Sequence, residues 1–112
     1  MENKILKHLF DIHEAALAVR GFVQNKSFED YAENELLPNG VERKFEIIGE
    51  ALNRINKDNP SVLDKIRECR SIISFRNILI HGYDNIDDRI VWSVIEEDLE
   101  NLIQDADALL SV

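Results

Sequence analysis

Apolar residues recur at helical spacing along most of this chain, and that spacing restricts the fold to an all-α architecture. They line one helical face in residues 3–24, 28–36, 41–56, 62–81 and roughly 88–110. None of these segments shows the sustained alternation of apolar and polar residues that is typical of strands. Two prolines and four glycines leave few turns. The sequence therefore predicts one domain, residues 1–112, built as a bundle of four main helices and a short one.

Turn and capping residues predict where these helices begin and end. Ser27 is the expected N-cap of the short helix, and Asp87 is the expected N-cap of the last helix. Residues 38–40, Pro-Asn-Gly, either break the second helix or start the third. Gly82 is expected to stop the fourth helix in the left-handed conformation. Gly49 lies inside a helix, where glycine costs about 1 kcal/mol relative to alanine, so we expect another helix to approach closely there.

The fourth segment, 62–81, carries a predicted inward face made of Val62, Ile66, Cys69, Ile73 and Ile80. Cys69 is the only cysteine, so it cannot form an internal disulfide, and we expect it to be a small buried apolar residue. The chain has no long uninterrupted apolar run and does not begin with a charged-then-apolar segment. We therefore expect no membrane span, no secretory signal and a cytoplasmic location.

The formal net charge of −9 makes the chain a poor general binder of nucleic acid, because Lys and Arg supply most non-specific affinity. Any contact with RNA or DNA must come from a local basic patch, whereas the overall charge suits a basic protein partner. Lys65, Arg67 and Arg70 make the most basic part of the fourth segment, together with Arg76. They are candidate RNA contacts, and a solvated basic face is an equally consistent interpretation.

Residues 76–83, Arg-Asn-Ile-Leu-Ile-His-Gly-Tyr, place polar and ionisable groups in one of the more apolar regions of the sequence. Burying such groups costs free energy unless they are paired or used. On an ideal helix, Arg76 and His81 differ by about 140° and about 7.5 Å, so they do not aim at the same point. Asn77 and His81 share a face. Either the helix loosens at Gly82, or two copies of the stretch meet at a dimer interface.

The chemistry that Arg76 and His81 support is cleavage of a phosphodiester without a metal ion. Arginine is a permanent cation with a fork that suits phosphate, and histidine can transfer a proton near neutral pH. The alternative is that Arg76 pairs with a glutamate while His81 caps the helix end. Glu42, Glu46 and Glu50 form a stripe that could pair with Arg76, dock a basic partner or simply be solvated.

Asn77 and Tyr83 are secondary candidates beside this pair. Asn77 could bind a phosphate or orient His81, or it could be an ordinary amide on a helix face. Tyr83 could stack on a base or be modified, or it could pack under the turn as an ordinary aromatic residue.

The pattern Arg76-x4-His81-x-Tyr83 resembles the R-x4-H-x-Y motif of the HEPN superfamily, specifically the HepT-like toxins. Glu42-Arg43 and residues 46–51, Glu-Ile-Ile-Gly-Glu-Ala, resemble the third helix of that family. Residues 90–92 and 98–99 resemble its last helix. The resemblance spans roughly residues 40–103.

The resemblance implies an up-and-down HEPN bundle of four to five helices that dimerises with its motifs at the interface. It implies a metal-independent endoribonuclease with no cofactor, in which Arg76 and His81 are catalytic. The implied partner is an MntA-type nucleotidyltransferase antitoxin, which would use ATP to add AMP to Tyr83. The alternative is a non-catalytic helical module that binds a nucleotidyltransferase or its substrate. A third reading is a structural protein in which Arg76 belongs to a buried ion-pair network.

Overall fold

The apolar stripes of the first and third helices pack against each other, and this pair forms the centre of the fold. The computed structural model describes residues 1–82 and 86–111. In it, α1 spans Asn3–Val23 and α3 spans Leu37–Asp58. The other elements are α2 at Phe28–Glu33, a 3₁₀ helix at Pro60–Lys65, α4 at Cys69–His81, α5 at Asp88–Glu97 and α6 at Leu99–Leu110. The predicted all-α bundle is confirmed, and no strand occurs in the described ranges.

Helices α4 and α6 complete the core around the central pair. α4 packs on α3 and α6 packs on α1, while the short α2 contacts both α3 and α5. Phe45 of α3 and Phe75 of α4 meet edge to face, with ring centroids 5.2 Å apart. Cys69 is buried, as predicted, and burial raises the pKa of its thiol. The Phe45–Phe75 contact fixes the part of α4 that carries Arg76, the next residue along the chain.

The predicted helix caps are confirmed at Ser27 and Asp87. Ser27 Oγ accepts a hydrogen bond from the backbone N–H of Asp30, and the Asp30 carboxylate accepts one from the backbone N–H of Ser27. This reciprocal pair is a capping box. The Asp87 carboxylate accepts from the backbone N–H of Arg89 at 2.8 Å. Pro38 lies in the first turn of α3, where a missing backbone N–H costs nothing.

The prediction of one continuous fourth helix over 62–81 is wrong. Residues 60–65 form the 3₁₀ helix, and the α-helix begins at Cys69. Ile66 is extended and buried, and the backbone N–H of Arg67 donates to the carboxylate of Asp105 on α6 at 3.0 Å. This tertiary bond takes the N–H that a continuous helix would use internally, so the chain leaves the helical path between Lys65 and Cys69.

The prediction of one helix over 88–110 is also wrong, because the helix is interrupted at Asp98. Asp98 is buried, and its carboxylate accepts a hydrogen bond from Ser71 Oγ on α4 at 3.0 Å. Gly82 ends α4 as predicted, but its φ of −111° is not left-handed, and its N–H still donates to the carbonyl of Ile78. Ile80, predicted to point inward, is 37 % exposed.

Two further predictions bear on the surface and on Tyr83. None of the described helices has the length and apolar content needed to cross a membrane. Tyr83, the candidate modification site, lies outside the residues that the structure describes.

Candidate functional site

A close approach between α3 and α4 sets the position of Arg76. A Cβ built on Gly49 would lie 2.4 Å from the Cβ and 2.5 Å from the Cγ of Arg76. Any side chain at position 49 would therefore push α4 away from α3. The predicted packing role of Gly49 is confirmed, and its consequence is that the aliphatic stem of Arg76 lies directly across the backbone of α3.

The guanidinium of Arg76 reaches the carboxylate of Glu50, the residue after Gly49. Arg76 Nη2 donates to Glu50 Oε2 at 2.8 Å, and Arg54 Nε donates to Glu50 Oε1 at 3.1 Å. One carboxylate thus joins two guanidiniums. The Arg76 side chain is 22 % exposed and that of Arg54 is 61 % exposed. Arg76 therefore pairs with a glutamate, as the alternative interpretation of the sequence predicted, and that glutamate is Glu50.

Arg76 lies in a cleft of about 510 Å³ formed by α1, α3 and α4. The ionisable residues that line the cleft are four fixed cations, one histidine and three carboxylates: Lys7, Arg43, Arg54, Arg76, His8, Asp11, Glu46 and Glu50. The fixed cations outnumber the carboxylates there, although the whole chain carries a net charge of −9. Lys7 pairs with Asp11 at 2.6 Å and Arg43 lies near Glu46, so the excess is one positive charge, and it belongs to the group in which Arg54 and Arg76 share Glu50.

Apolar side chains complete the lining of this cleft. Ile47 and Ala51 of α3 and Ile80 of α4 contribute them. Ile80 thus faces the cleft, because α4 turns its Arg76 side towards the α1–α3 groove and away from the core. A cleft that combines cations with apolar side chains can hold a ligand that has both an anionic group and a flat apolar surface.

The structure does not bring His81 into the cleft with Arg76. His81 is the last residue of α4, and both His81 and Asn77 are exposed. Within one chain, Arg76 and His81 therefore lie on different sides of α4, as their spacing on a helix predicts. Ile78, which is 46 % exposed, lies three residues before His81 and therefore on the same side of α4 as His81.

The other predicted RNA contacts lie elsewhere, and two of them precede α4. Lys65 is the exposed last residue of the 3₁₀ helix. Arg67 donates to Asp105 on α6 through both Nε and Nη2. Arg70 is exposed in the first turn of α4 and lines a separate hollow with Ile73. Their role in binding RNA stays a prediction.

The carboxylate stripe divides between two surroundings. Glu46 and Glu50 line the cleft, and Glu46 lies 3.9 Å from Arg43. Glu42 is partly buried beside the start of α5. Burial raises the pKa of Glu42, and the negative charges of Asp88 and Glu46 raise it further. Within residues 1–82 and 86–111, no group of His, Cys, Asp or Glu side chains is arranged to hold a metal ion.

Sequence reasoning missed most of the residues that surround Arg76 in this cleft. Lys7 and His8 come from α1, and Arg43 and Arg54 come from α3. Because these residues are far from Arg76 along the chain, no local sequence pattern shows that they lie together. One local signal was the spacing of Glu50 and Arg54, which predicts a favourable pair on a helix.

Comparison with known proteins gives a consistent assignment. Residues 12–109 match the family model "Ribonuclease HepT-like". The chain is 34 % identical over 102 residues to the "Probable ribonuclease HepT" of Thermococcus cleftensis, covering 91 % of this chain and 92 % of that protein. It is 33 % identical over 94 residues to the "Putative RNase MJ1380" of Methanocaldococcus jannaschii, covering 84 % and 85 %. No solved structure gives a significant match.

Proposed function

Because this chain belongs to the HepT-like ribonuclease family, we propose that it is a metal-independent endoribonuclease and the toxin of a type VII toxin–antitoxin pair. The observation that carries the proposal is the position of Arg76, whose guanidinium lies in a cleft with an excess of fixed cations on an otherwise acidic protein. Arginine matches phosphate oxygens in geometry and charge. RNA is therefore held locally, at this cleft.

In the proposed reaction, Arg76 holds the scissile phosphate and stabilises the charge that develops on it in the transition state. The 2′-hydroxyl of the RNA attacks the phosphorus and loses its proton, while the bond to the 5′-oxygen breaks. His81 is the acid–base group for these proton transfers. The products are a 2′,3′-cyclic phosphate and a free 5′-hydroxyl.

A homodimer is part of the proposal, because Arg76 and His81 lie on different sides of α4 within one chain. In the proposed dimer, a second copy packs along α4 so that His81 of one chain lies beside Arg76 of the other. The exposure of Ile78 beside Asn77 and His81 supports this surface as the interface. Asn77 is the supporting residue, positioned to orient His81 or to contact a phosphate.

Tyr83 is the proposed regulatory position, and the proposed partner is an MntA-like nucleotidyltransferase that uses ATP. Adding AMP to a tyrosine two residues beyond His81 introduces negative charge and bulk near a phosphate site. Like charges repel there, so the modification is expected to exclude RNA.

The experiment measures cleavage of a single-stranded RNA in the presence of EDTA by the wild type and by site variants. Arg76→Ala and His81→Ala are each expected to lower the rate by about a hundredfold or more, the range for loss of an acid–base group or of a transition-state donor. Arg76→Lys keeps the charge but loses the fork, so it is expected to remain strongly impaired. Arg20→Ala, an exposed arginine on α1 paired with Glu100, is the matched control and keeps full activity.

Tyr83→Phe completes the same panel. It is expected to cleave RNA like the wild type but to gain no AMP mass after co-expression with the nucleotidyltransferase. Full activity of either Arg76→Ala or His81→Ala, with thermal melting unchanged, would overturn the catalytic assignment. RNA left intact by the wild type at high protein concentration would favour the non-catalytic binding module.

A further inference from the structure

We propose that Arg54 is a second phosphate-binding residue of the Arg76 cleft, contacting the RNA phosphate next to the scissile one. The inference deepens the proposed ribonuclease function and rests on it. It identifies a residue of the third helix that lies outside the Arg-x4-His-x-Tyr motif.

The first observation is that one carboxylate joins the two guanidiniums. Glu50 Oε2 accepts from Arg76 Nη2 at 2.8 Å, and Glu50 Oε1 accepts from Arg54 Nε at 3.1 Å. The two arginines are therefore neighbours in space, although they come from different helices. Glu50 keeps them at a fixed separation, and its single negative charge leaves the group with a net charge of +1. This remaining positive charge attracts the negative charge of an RNA backbone.

The second observation is the donor capacity that remains on Arg54. A guanidinium has five N–H donors, and the bond to Glu50 uses the Nε–H of Arg54. Both terminal nitrogens stay available for the bidentate contact that arginine makes with phosphate. The Arg54 side chain is 61 % exposed, so a ligand in the cleft can reach these donors without displacing the protein core.

The third observation is that Arg54 lies at the junction of two adjoining hollows. His8, Glu50 and Arg54 line both the Arg76 cleft and a neighbouring hollow of about 260 Å³. The neighbouring hollow also contains Lys4, Lys57 and Asp58, with Lys4 paired to Asp58 at 3.3 Å, so its three fixed cations outnumber its two carboxylates. Cations therefore continue from Arg76 past Arg54 towards the N-terminal end of α1, as a strand with successive phosphates requires.

An isolated Glu–Arg pair on a helix surface would have neither a bridge to a second arginine nor a position between two adjoining hollows. Such a pair at i, i+4 contributes a few tenths of a kcal/mol to stability and has no role in binding. The bridge to Arg76 and the continuity of the two hollows distinguish Arg54 from the exposed Arg20, which pairs with Glu100 far from the cleft.

The test measures binding of a fluorescent single-stranded 2′-O-methyl oligoribonucleotide, which lacks the attacking hydroxyl, across a range of NaCl concentrations. Arg54→Ala is expected to weaken binding about tenfold, as for loss of one hydrogen-bonded charged contact. It should also flatten the slope of log affinity against log salt by about 0.7, the value for one phosphate contact on a single strand. Arg54→Lys should keep the slope and lose part of the affinity.

Arg20→Ala is the control for the loss of one positive charge, and it should change neither the affinity nor the slope. In cleavage assays on ordinary RNA, Arg54→Ala should raise KM and change kcat little, because Arg54 does not contact the reacting phosphate.

The Arg54 assignment is overturned if Arg54→Ala matches Arg20→Ala in both affinity and slope. If the wild type still cleaves RNA and Arg76→Ala does not, that outcome leaves the ribonuclease function intact. A wild-type protein that neither binds nor cleaves RNA would overturn both proposals.

Discussion

Gly49 is the residue on which the geometry of Arg76 depends. Without a side chain it lets α4 come so close that the Arg76 stem lies across α3 and its guanidinium reaches Glu50. Glycine has a poor intrinsic helix propensity, so its presence here trades local helix stability for this close contact. Glu50 follows Gly49 in the sequence. The residue that lets α4 approach and the residue that accepts the hydrogen bond from Arg76 are therefore adjacent.

Gly49→Ala is expected to lower the free energy of unfolding by about 2 kcal/mol, as for overpacking a well-packed interface. The added methyl would meet the near end of the Arg76 side chain, which cannot move independently of α4. Urea unfolding measures the change, and RNA cleavage should fall with it because Arg76 is displaced.

Gly21→Ala in α1 is the matched control for this change. A Cβ at Gly21 has nothing within 4 Å, so the gain in helix propensity, about 1 kcal/mol, should appear without a clash. If Gly49→Ala were as stable as Gly21→Ala, the close contact between the helices would be refuted.

The two long segments that were expected to be continuous helices are both interrupted, and each is hydrogen-bonded to another element at its interruption. The Arg67–Asp105 bonds hold the segment before α4 against α6. The Asp98–Ser71 bond holds the junction of α5 and α6 against α4. The carboxylates at these two junctions, Asp105 and Asp98, differ in how their ionisation affects the stability of the fold.

Asp98→Asn is expected to stabilise the fold at pH 7. Burial raises the pKa of Asp98; the Ser71 hydrogen bond opposes the increase, and the charges of Glu68 and Glu97 add to it. The folded state therefore binds the proton more tightly, and stability is lost as the pH rises above the usual carboxyl range. Asparagine keeps an acceptor for Ser71 without the charge. Thermal melting should show a higher Tm than wild type at pH 7 and a vanishing difference near pH 4.

Asp105→Asn is the companion variant, and its effect on the Tm at pH 7 is expected to be the opposite of that of Asp98→Asn. Burial alone would raise the pKa of Asp105, but the hydrogen bonds and the charge of Arg67 outweigh it and lower the pKa. Stability from this group is present above its unfolded pKa and lost as the pH falls through the folded value. Asp105→Asn should therefore melt below wild type at pH 7, with the gap closing in acid. Equal pH dependence in both variants would contradict these assignments.

Charge is unevenly distributed over the whole molecule. The net charge is −9, yet the Arg76 cleft has more fixed cations than carboxylates. The negative excess therefore lies on the rest of the molecule, where like charges repel and oppose the compact state. The net charge of the surface outside the cleft therefore repels RNA.

Added salt is expected to raise the Tm and to weaken RNA binding. Screening reduces the repulsion among surface carboxylates, because the Debye length falls to about 8 Å at 0.15 M ionic strength. The exposed ion pairs that salt weakens contribute little. Melting followed by circular dichroism in about 20 mM and about 300 mM NaCl at pH 7 provides the measurement. A Tm that falls with salt would show that specific ion pairs outweigh the net repulsion.

Much of the fold could be predicted because its signals are local. Helical spacing and the Ser27 and Asp87 caps depend on neighbours within a few residues, and the structure agrees with each. A glycine inside a helix is likewise visible locally, although the residue that approaches Gly49, Arg76, is distant in sequence. The hydrogen bonds at the interruptions near Arg67 and Asp98 could not be predicted, since their partners lie 38 and 27 residues away. The same limit applies to Ile80, whose spacing fits a core face but which lines the cleft.

The amino-acid order alone was enough to predict an all-α bundle, its family resemblance and Arg76 as a candidate phosphate ligand. These follow from periodicity and from a motif that occupies eight consecutive positions. The tertiary structure decided what surrounds Arg76: Glu50 lies 26 residues away in sequence, and the remaining cations of the cleft come from α1 and α3. Such a grouping forms only when packing brings distant helices together, because side-chain contacts across helices leave no periodic signal in the sequence.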